Sequence, residues 1–122
     1  MNQRQTALLF TILSQPTAPF REDLVADTAV RALNRFDIPH FFDPVGNIVI
    51  GVTSAQEYRR LLADRDAEPV RVLAAHMDHP GFHGVKMLPN RCLLVKWFGG
   101  SPVKHLSGAR VWLANTSGAI GY

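Results

Sequence analysis

Apolar positions in the first third of the chain recur at helical spacing. Residues from about Arg4 to Leu13 form a first apolar run, which stops before the prolines at positions 16 and 19. A second run begins near the acidic residues 22–23, which suit the positive end of a helix dipole. Its apolar residues fall on one helix face, predicted to be buried: Val25, Ala29, Leu33 and Phe36. Two helices are therefore predicted before Pro39.

Short β-type runs dominate the remainder of the chain. Residues 43–47 predict a turn, 48–52 a strand and 54–66 a polar helix or loop. The apolar run 70–75 predicts a buried strand. Three strand-like runs at 82–88, 91–98 and 109–116 follow, separated by Pro, Gly and Ser residues, and a glycine-rich turn then leads into one more apparent strand.

This order predicts an α/β fold in which a small antiparallel β module follows an α/β part. The change in sequence texture near position 80 predicts a boundary between residues 1–80 and residues 81–122. Because the last apparent strand has no clear continuation, we expect the 122 residues to break off within the β module.

Composition excludes several classes of protein. Hydrophobic residues make up 47% and charged residues 19% of the 122 positions, typical of a globular domain. The net charge of +3 is small, and the main basic group, Arg59, Arg60 and Arg65, lies among acids. We therefore expect a solvated helix face and no nucleic-acid partner.

No apolar run approaches the ~20 residues of a membrane span, and residues 7–13 lack the flanks of a signal peptide. We expect a cytoplasmic protein without a membrane partner. The single cysteine, Cys92, fits a reducing compartment, and its apolar neighbours predict a buried strand thiol.

The candidate chemistry lies where the 70–75 run ends. Residues 76–82 (HMDHPGF) place two histidines and an aspartate directly before a Pro-Gly turn. Imidazole binds zinc or cobalt, and a carboxylate two residues later can bind the same ion or orient the imidazole. In an extended segment His76 and Asp78 point to the same side, whereas His79 points away unless Pro80 turns the chain. A loop histidine paired with an aspartate is the alternative interpretation.

Three motifs, in order, resemble the N-terminal portion of the M42 family of glutamyl-aminopeptidase-like metallopeptidases. They are residues 43–50 (DPVGNIVI), residues 72–82 (VLAAHMDHPGF) and residues 97–100 (WFGG). The resemblance implies part of a zinc-peptidase-like α/β domain, followed by the start of a β-barrel or PDZ-like insert. It also implies peptide hydrolysis by a metal-activated water, two zinc or cobalt ions, a peptide substrate and a homo-oligomer.

The resemblance also implies roles for individual residues. His76 matches the first metal ligand, and Asp78 matches the catalytic-site aspartate that supports it. Gly46 and Asn47 match a structural turn. His79 stands where the family has glutamate, so it is a possible additional ligand or a supporting residue, with the supporting or surface role expected. The family's remaining carboxylate ligands, general base and last histidine follow the insert. We therefore expect a partial site that is inactive as the isolated 122 residues.

Two other functions stay open. One is a non-catalytic remnant or interaction module whose exposed strand edges recruit a partner. The other is a metallo-β-lactamase-type hydrolase, although Ala74 occupies the position of that motif's first histidine. We expect packing or surface roles for the remaining histidines (His40, His83 and His105). The aromatic residues of the second half are expected to form the core of the β module or an oligomer contact: Trp97, Phe98 and Trp112.

Overall fold

A computed structural model describes residues 1–64, 68–115 and 118–121. The chain divides into two compact units. One comprises residues 29–76, and the other comprises residues 1–28 together with residues 77–122. The predicted division at residue 80 remains a prediction.

The first helix, α1 (Gln3–Leu13), confirms the first predicted helix. Its N-terminus carries a reciprocal capping box. The Asn2 side chain accepts a hydrogen bond from the Gln5 backbone N–H at 2.9 Å, and the Gln5 side chain accepts one from the Asn2 N–H at 2.8 Å. These bonds satisfy two backbone donors that a helix start leaves without partners.

The second helix, α2 (Asp23–Arg35), also matches its prediction. Val25 and Leu33 are buried and Ala29 is half-buried, as expected for its apolar face. Phe36 is the exception, because the helix ends at Arg35 and the Phe36 side chain is half exposed. The apolar pattern therefore extended one residue beyond the buried face.

The unit of residues 29–76 contains a small hairpin and a helix. Strands β1 (His40–Phe42) and β2 (Ile48–Ile50) pair antiparallel on either side of the predicted turn. The β2 strand is shorter than predicted, since Gly51 adopts a φ of +99° and leaves the extended conformation. Of the polar helix or loop predicted over 54–66, residues Ala55–Ala63 form a helix, α3, which is capped by Ser54. Arg65 and Asp66 lie outside the described residues.

The largest sheet element is the hairpin of β3 (Gly81–Leu88) and β4 (Cys92–Phe98). A short 3-10 turn over Pro89–Arg91 joins the strands, with Asn90 at φ +63° and Arg91 at φ +60°. A bulge lies between Gly84 and Lys86. Both strands and the Pro-Asn break were predicted correctly.

A third antiparallel pair consists of β5 (Leu113–Asn115) and β6 (Gly118–Gly121). The predicted strand over 109–116 is therefore too long, because residues 109–112 have no strand pairing. Thr116 lies outside the described residues. The apparent last strand of the sequence corresponds to β6.

The predicted buried strand at 70–75 is wrong. These residues are exposed and form no strand, and Leu73 is 98% exposed. A strand needs a neighbour to pair its backbone groups. Among the described residues each of the three sheets has only two strands, and none of them pairs with this segment.

The prediction for Cys92 is also wrong, because its thiol is exposed. Cys92 begins β4 beside the 3-10 turn, in the part of the hairpin whose side chains are exposed. The overall class is confirmed as mixed α/β with small antiparallel sheets, and the described residues form no closed barrel. None of the described helices combines the length and apolar character needed to cross a membrane.

Candidate functional site

The predicted site residues lie where one unit of the chain ends and the other resumes. His76 is the last residue of the unit 29–76, and its side chain is exposed. Asp78 and His79 belong to the other unit, where Asp78 is half-buried and His79 is exposed. The His79 ring Nδ1 lies 3.4 Å from the Pro80 carbonyl oxygen. The His79 ring therefore lies beside the backbone of the next residue.

Two contacts attach residues 77–80 to the rest of their unit. The Thr17 hydroxyl donates a hydrogen bond to the Met77 carbonyl at 3.1 Å. Three residues later, Pro80 lies so close to Gly99 that a Cβ on Gly99 would be 2.6 Å from the Pro80 Cβ. Asp78 and His79 therefore lie between two fixed points of the backbone.

A second close approach follows immediately. A Cβ added to Gly81 would lie 2.7 Å from the Cβ of Ala18, which is buried. Carbon atoms are not tolerated at this separation, so glycine is required for β3 to begin here. The Pro-Gly pair that the sequence marks as a turn thus also makes two tight packing contacts.

The turn of residues 43–47 is closed by its own aspartate. The Asp43 carboxylate accepts hydrogen bonds from the backbone N–H groups of Val45 and Asn47, at 3.0 and 2.8 Å. It also accepts one from the Asn47 side-chain amide at 2.8 Å, and this bond contributes most to lowering the pKa of Asp43 below its ordinary value of 3.8. Gly46 adopts a φ of +93°, which favours glycine. The resemblance implies a structural role for Gly46 and Asn47. The hydrogen bonds of Asp43 are consistent with that role, because they lie within the turn.

A metal site in a protein needs more ligands than the described residues bring close together. Zinc in proteins takes three or four protein ligands. Within residues 1–64, 68–115 and 118–121, no group of three or more His, Cys, Asp and Glu side chains is arranged to hold a metal ion. The donor set of these described residues does not fit a complete two-ion site.

The unit formed by residues 1–28 and 77–122 contains an open groove of about 720 Å³. Its lining comes from the α1–α2 connection, the start of α2, the first residues of β3 and the end of β5: Pro16, Thr17, Ala18, Phe20, Arg21, Asp23, Leu24, Phe82, His83, Gly84, Ala114 and Asn115. Arg21 and Asp23 form an ion pair at 3.3 Å there. Asp78 and His79 are not among these lining residues.

His83, one of the histidines for which the sequence predicts a packing or surface role, lines this groove. Its Nε2 lies 2.8 Å from the Pro19 carbonyl, which fixes Nε2 as the protonated nitrogen because a carbonyl accepts and never donates. The imidazole also lies against the Phe98 ring, with centroids 4.3 Å apart. The predicted packing role therefore describes this histidine, but its partner is 64 positions away and no local pattern signals it.

The aromatic residues at the same end of the hairpin pack together. The Phe82 and Trp97 ring centroids are 4.9 Å apart, and Phe20 meets Phe98 edge to face at 5.8 Å. The Trp97 indole N–H is buried, and no hydrogen-bond partner for it lies among the residues that the structure describes. Trp97 and Phe98 are half-buried and form a small aromatic cluster, whereas Trp112 is 46% exposed.

Comparisons with protein-family models, with curated proteins and with solved structures gave no match to this chain.

Proposed function

We propose that this chain supplies part of a metallo-aminopeptidase site of the M42 type, with His76 as a metal ligand and Asp78 as the carboxylate that supports it. The observation that carries the proposal is the order of three motifs in one short chain. An Asp-x-x-Gly-Asn turn before a strand, a His-x-Asp junction before a Pro-Gly turn, and a Gly-Gly turn follow one another at residues 43–50, 76–82 and 97–100.

Local geometry is consistent with this proposal. His76 is an exposed residue. The Thr17 hydrogen bond and the Pro80–Gly99 contact limit the movement of the segment that carries Asp78. A carboxylate held in place is suited to orienting a ligand imidazole, since supporting hydrogen bonds determine the direction of the ring and its basicity.

The proposed parent reaction is hydrolysis of N-terminal residues from peptides in the cytoplasm, with zinc or cobalt supplying an activated water when bound. The finer fold that belongs to this proposal is part of a zinc-peptidase-like α/β domain with the start of a PDZ-like insert. Because the described residues assemble too few ligands, we propose that the 122 residues alone do not catalyse the reaction. Additional carboxylates would have to complete the site.

A zinc titration of the full chain by calorimetry tests the ligand assignment. We expect weak binding of one ion that is lost in His76→Ala and reduced about 10–100-fold in Asp78→Asn, the range typical of residues that support a metal ligand. His105→Ala is the matched control, since it also removes an exposed histidine. Chromogenic aminoacyl substrates should not be hydrolysed with zinc or cobalt added.

Three results would contradict the proposal. Equal losses in His76→Ala and His105→Ala would indicate non-specific histidine binding. Tight stoichiometric binding by the unmodified chain would disprove an incomplete site, and so would peptidase turnover by the 122 residues. His79→Ala separates the two roles left open for His79, because a ligand would weaken binding and a surface residue would not.

The second candidate function is a non-catalytic interaction module. It is favoured by a specific observation: the segment 70–75 and much of the β3–β4 hairpin leave apolar side chains exposed. If the metal titration shows no dependence on His76 while a protein partner binds, the interaction function replaces the enzyme function. The expected homo-oligomer remains a prediction that sedimentation analysis can test.

A further inference from the structure

Charge is distributed very unevenly along this chain. All ten acidic residues lie within residues 1–78, whereas residues 79–122 contain five basic residues and no Asp or Glu. The basic residues of this segment are Lys86, Arg91, Lys96, Lys104 and Arg110. The overall charge of +3 conceals this separation.

The outer part of the β3–β4 hairpin, residues 85–95, combines positive charge with exposed apolar surface. We call this part the basic hairpin. Its apolar side chains are between 38% and 64% exposed: Val85, Met87, Leu88, Leu93, Leu94 and Val95. Because side chains alternate along a strand, the pair Met87 and Leu93 faces the opposite side from Lys86 and Leu94. Both faces of the basic hairpin therefore expose apolar groups.

The edges of the hairpin are also open. Among the described residues, β3 pairs only with β4 and β4 only with β3. Each strand thus has an outer edge of backbone N–H and C=O groups that no other described strand covers. Such an edge is a template for a further strand.

We propose that the basic hairpin binds a partner protein that adds an extended strand of alternating acidic and apolar residues to its open edge. The strand would pair with the backbone groups of the open edge, its apolar residues would cover one face, and its carboxylates would meet Lys86 and Arg91. This proposal does not depend on the metal site, because none of the hairpin residues is a proposed ligand.

Other occupants fit less well. A lipid bilayer offers no hydrogen-bond partners to the edge backbone groups, so open edges do not occur in its hydrocarbon region. Single-stranded nucleic acid prefers exposed aromatic rings, whereas residues 85–95 contain none. A second copy placed by a two-fold axis would set the same positive side chains against each other.

The test uses the full chain and a synthetic probe, an end-capped eight-residue peptide of alternating Glu and Val. Fluorescence anisotropy should show saturable binding that weakens as salt rises. Hydrogen exchange should show protection of β3 or β4 edge amides. A peptide of alternating Lys and Val should not bind, and a Glu-Val peptide N-methylated on every residue should lose binding because neither of its edges can donate backbone hydrogen bonds.

Variants of exposed side chains locate the surface. Lys86→Glu combined with Arg91→Glu should lower affinity for the Glu-Val peptide at least about tenfold and create affinity for the Lys-Val peptide. Lys104→Glu combined with Arg59→Glu, the same double charge reversal at exposed positions outside the hairpin, should have little effect. The proposal is overturned by no binding of the Glu-Val peptide, by equal effects of the hairpin and control double variants, or by undiminished binding of the N-methylated peptide. Self-association through the basic hairpin, or stronger binding to anionic vesicles or single-stranded DNA, also overturns it.

Discussion

The contact between Gly99 and Pro80 gives the most direct prediction about the segment that carries the candidate site. A Cβ at position 99 would lie 2.6 Å from the Pro80 Cβ and 2.8 Å from Trp97 Cζ2. Neither atom belongs to the end of a flexible chain, since one is part of a proline ring and the other of a half-buried indole. Gly99→Ala must therefore displace Pro80, Trp97 or both.

Forcing an extra carbon into packed surroundings costs typically 1–3 kcal/mol, so we expect Gly99→Ala to lower the free energy of unfolding by about 2 kcal/mol. A urea slope in the usual range of ~1–3 kcal/mol per molar converts this into a decrease of about 1 M in the unfolding midpoint. Urea unfolding followed by circular dichroism measures the decrease.

Gly100→Ala is the matched control, because a Cβ at position 100 meets nothing within 4 Å. It should change the free energy of unfolding by no more than ~0.5 kcal/mol, as surface substitutions generally do. If Gly99→Ala and Gly100→Ala have the same midpoint, the close packing of Pro80 on Gly99 is not a feature of the folded chain. The inferred attachment of the segment 77–80 would then be refuted.

Two further substitutions test the turns. Arg91→Gly should raise the free energy of unfolding by up to ~1 kcal/mol, because Arg91 has a φ of +60° that glycine adopts without steric cost. Thermal unfolding measures this change. A decrease would show that the Arg91 side chain stabilises the fold by more than its backbone strain destabilises it. Asp43→Asn tests the depressed pKa of Asp43. Since that pKa is lowered in the fold, the carboxylate stabilises the protein above its ordinary pKa of 3.8, and the stabilisation is lost as pH falls through the folded pKa. The free energy of unfolding of the wild type should therefore fall more than that of Asp43→Asn between about pH 5 and pH 2. Asp27→Asn, on the exposed surface of α2, is the control. Parallel pH dependences of the wild type and Asp43→Asn would contradict the role assigned to the Asp43 turn.

Sequence alone predicted the elements whose signals are local. Both N-terminal helices, the 43–47 turn, the polar helix α3 and the β3–β4 hairpin follow from spacing, capping residues and turn residues within a few positions. The same locality explains the Asp43 turn, because donor and acceptor are at most four residues apart. The candidate residues His76 and Asp78 were also selected from a local pattern, and their roles remain proposals.

Tertiary structure decided whether apolar runs are buried. Residues 70–75 have the composition of a buried strand, yet they are exposed because no described strand pairs with them. Cys92 is exposed for a related reason, since the hairpin around it has no covering layer among the described residues. Burial of apolar side chains is favourable, but it requires another surface for them to pack against.

Contacts between residues that are far apart in the chain could not be predicted from local sequence patterns either. The Thr17–Met77 hydrogen bond joins residues 60 positions apart, and the His83–Pro19 bond joins residues 64 positions apart. The sequence determined that residues 76–82 combine two histidines and an aspartate with a Pro-Gly turn. Only the fold determined that Thr17 and Gly99 hold this segment, because such contacts depend on which elements meet in space and not on the spacing of residues along the chain.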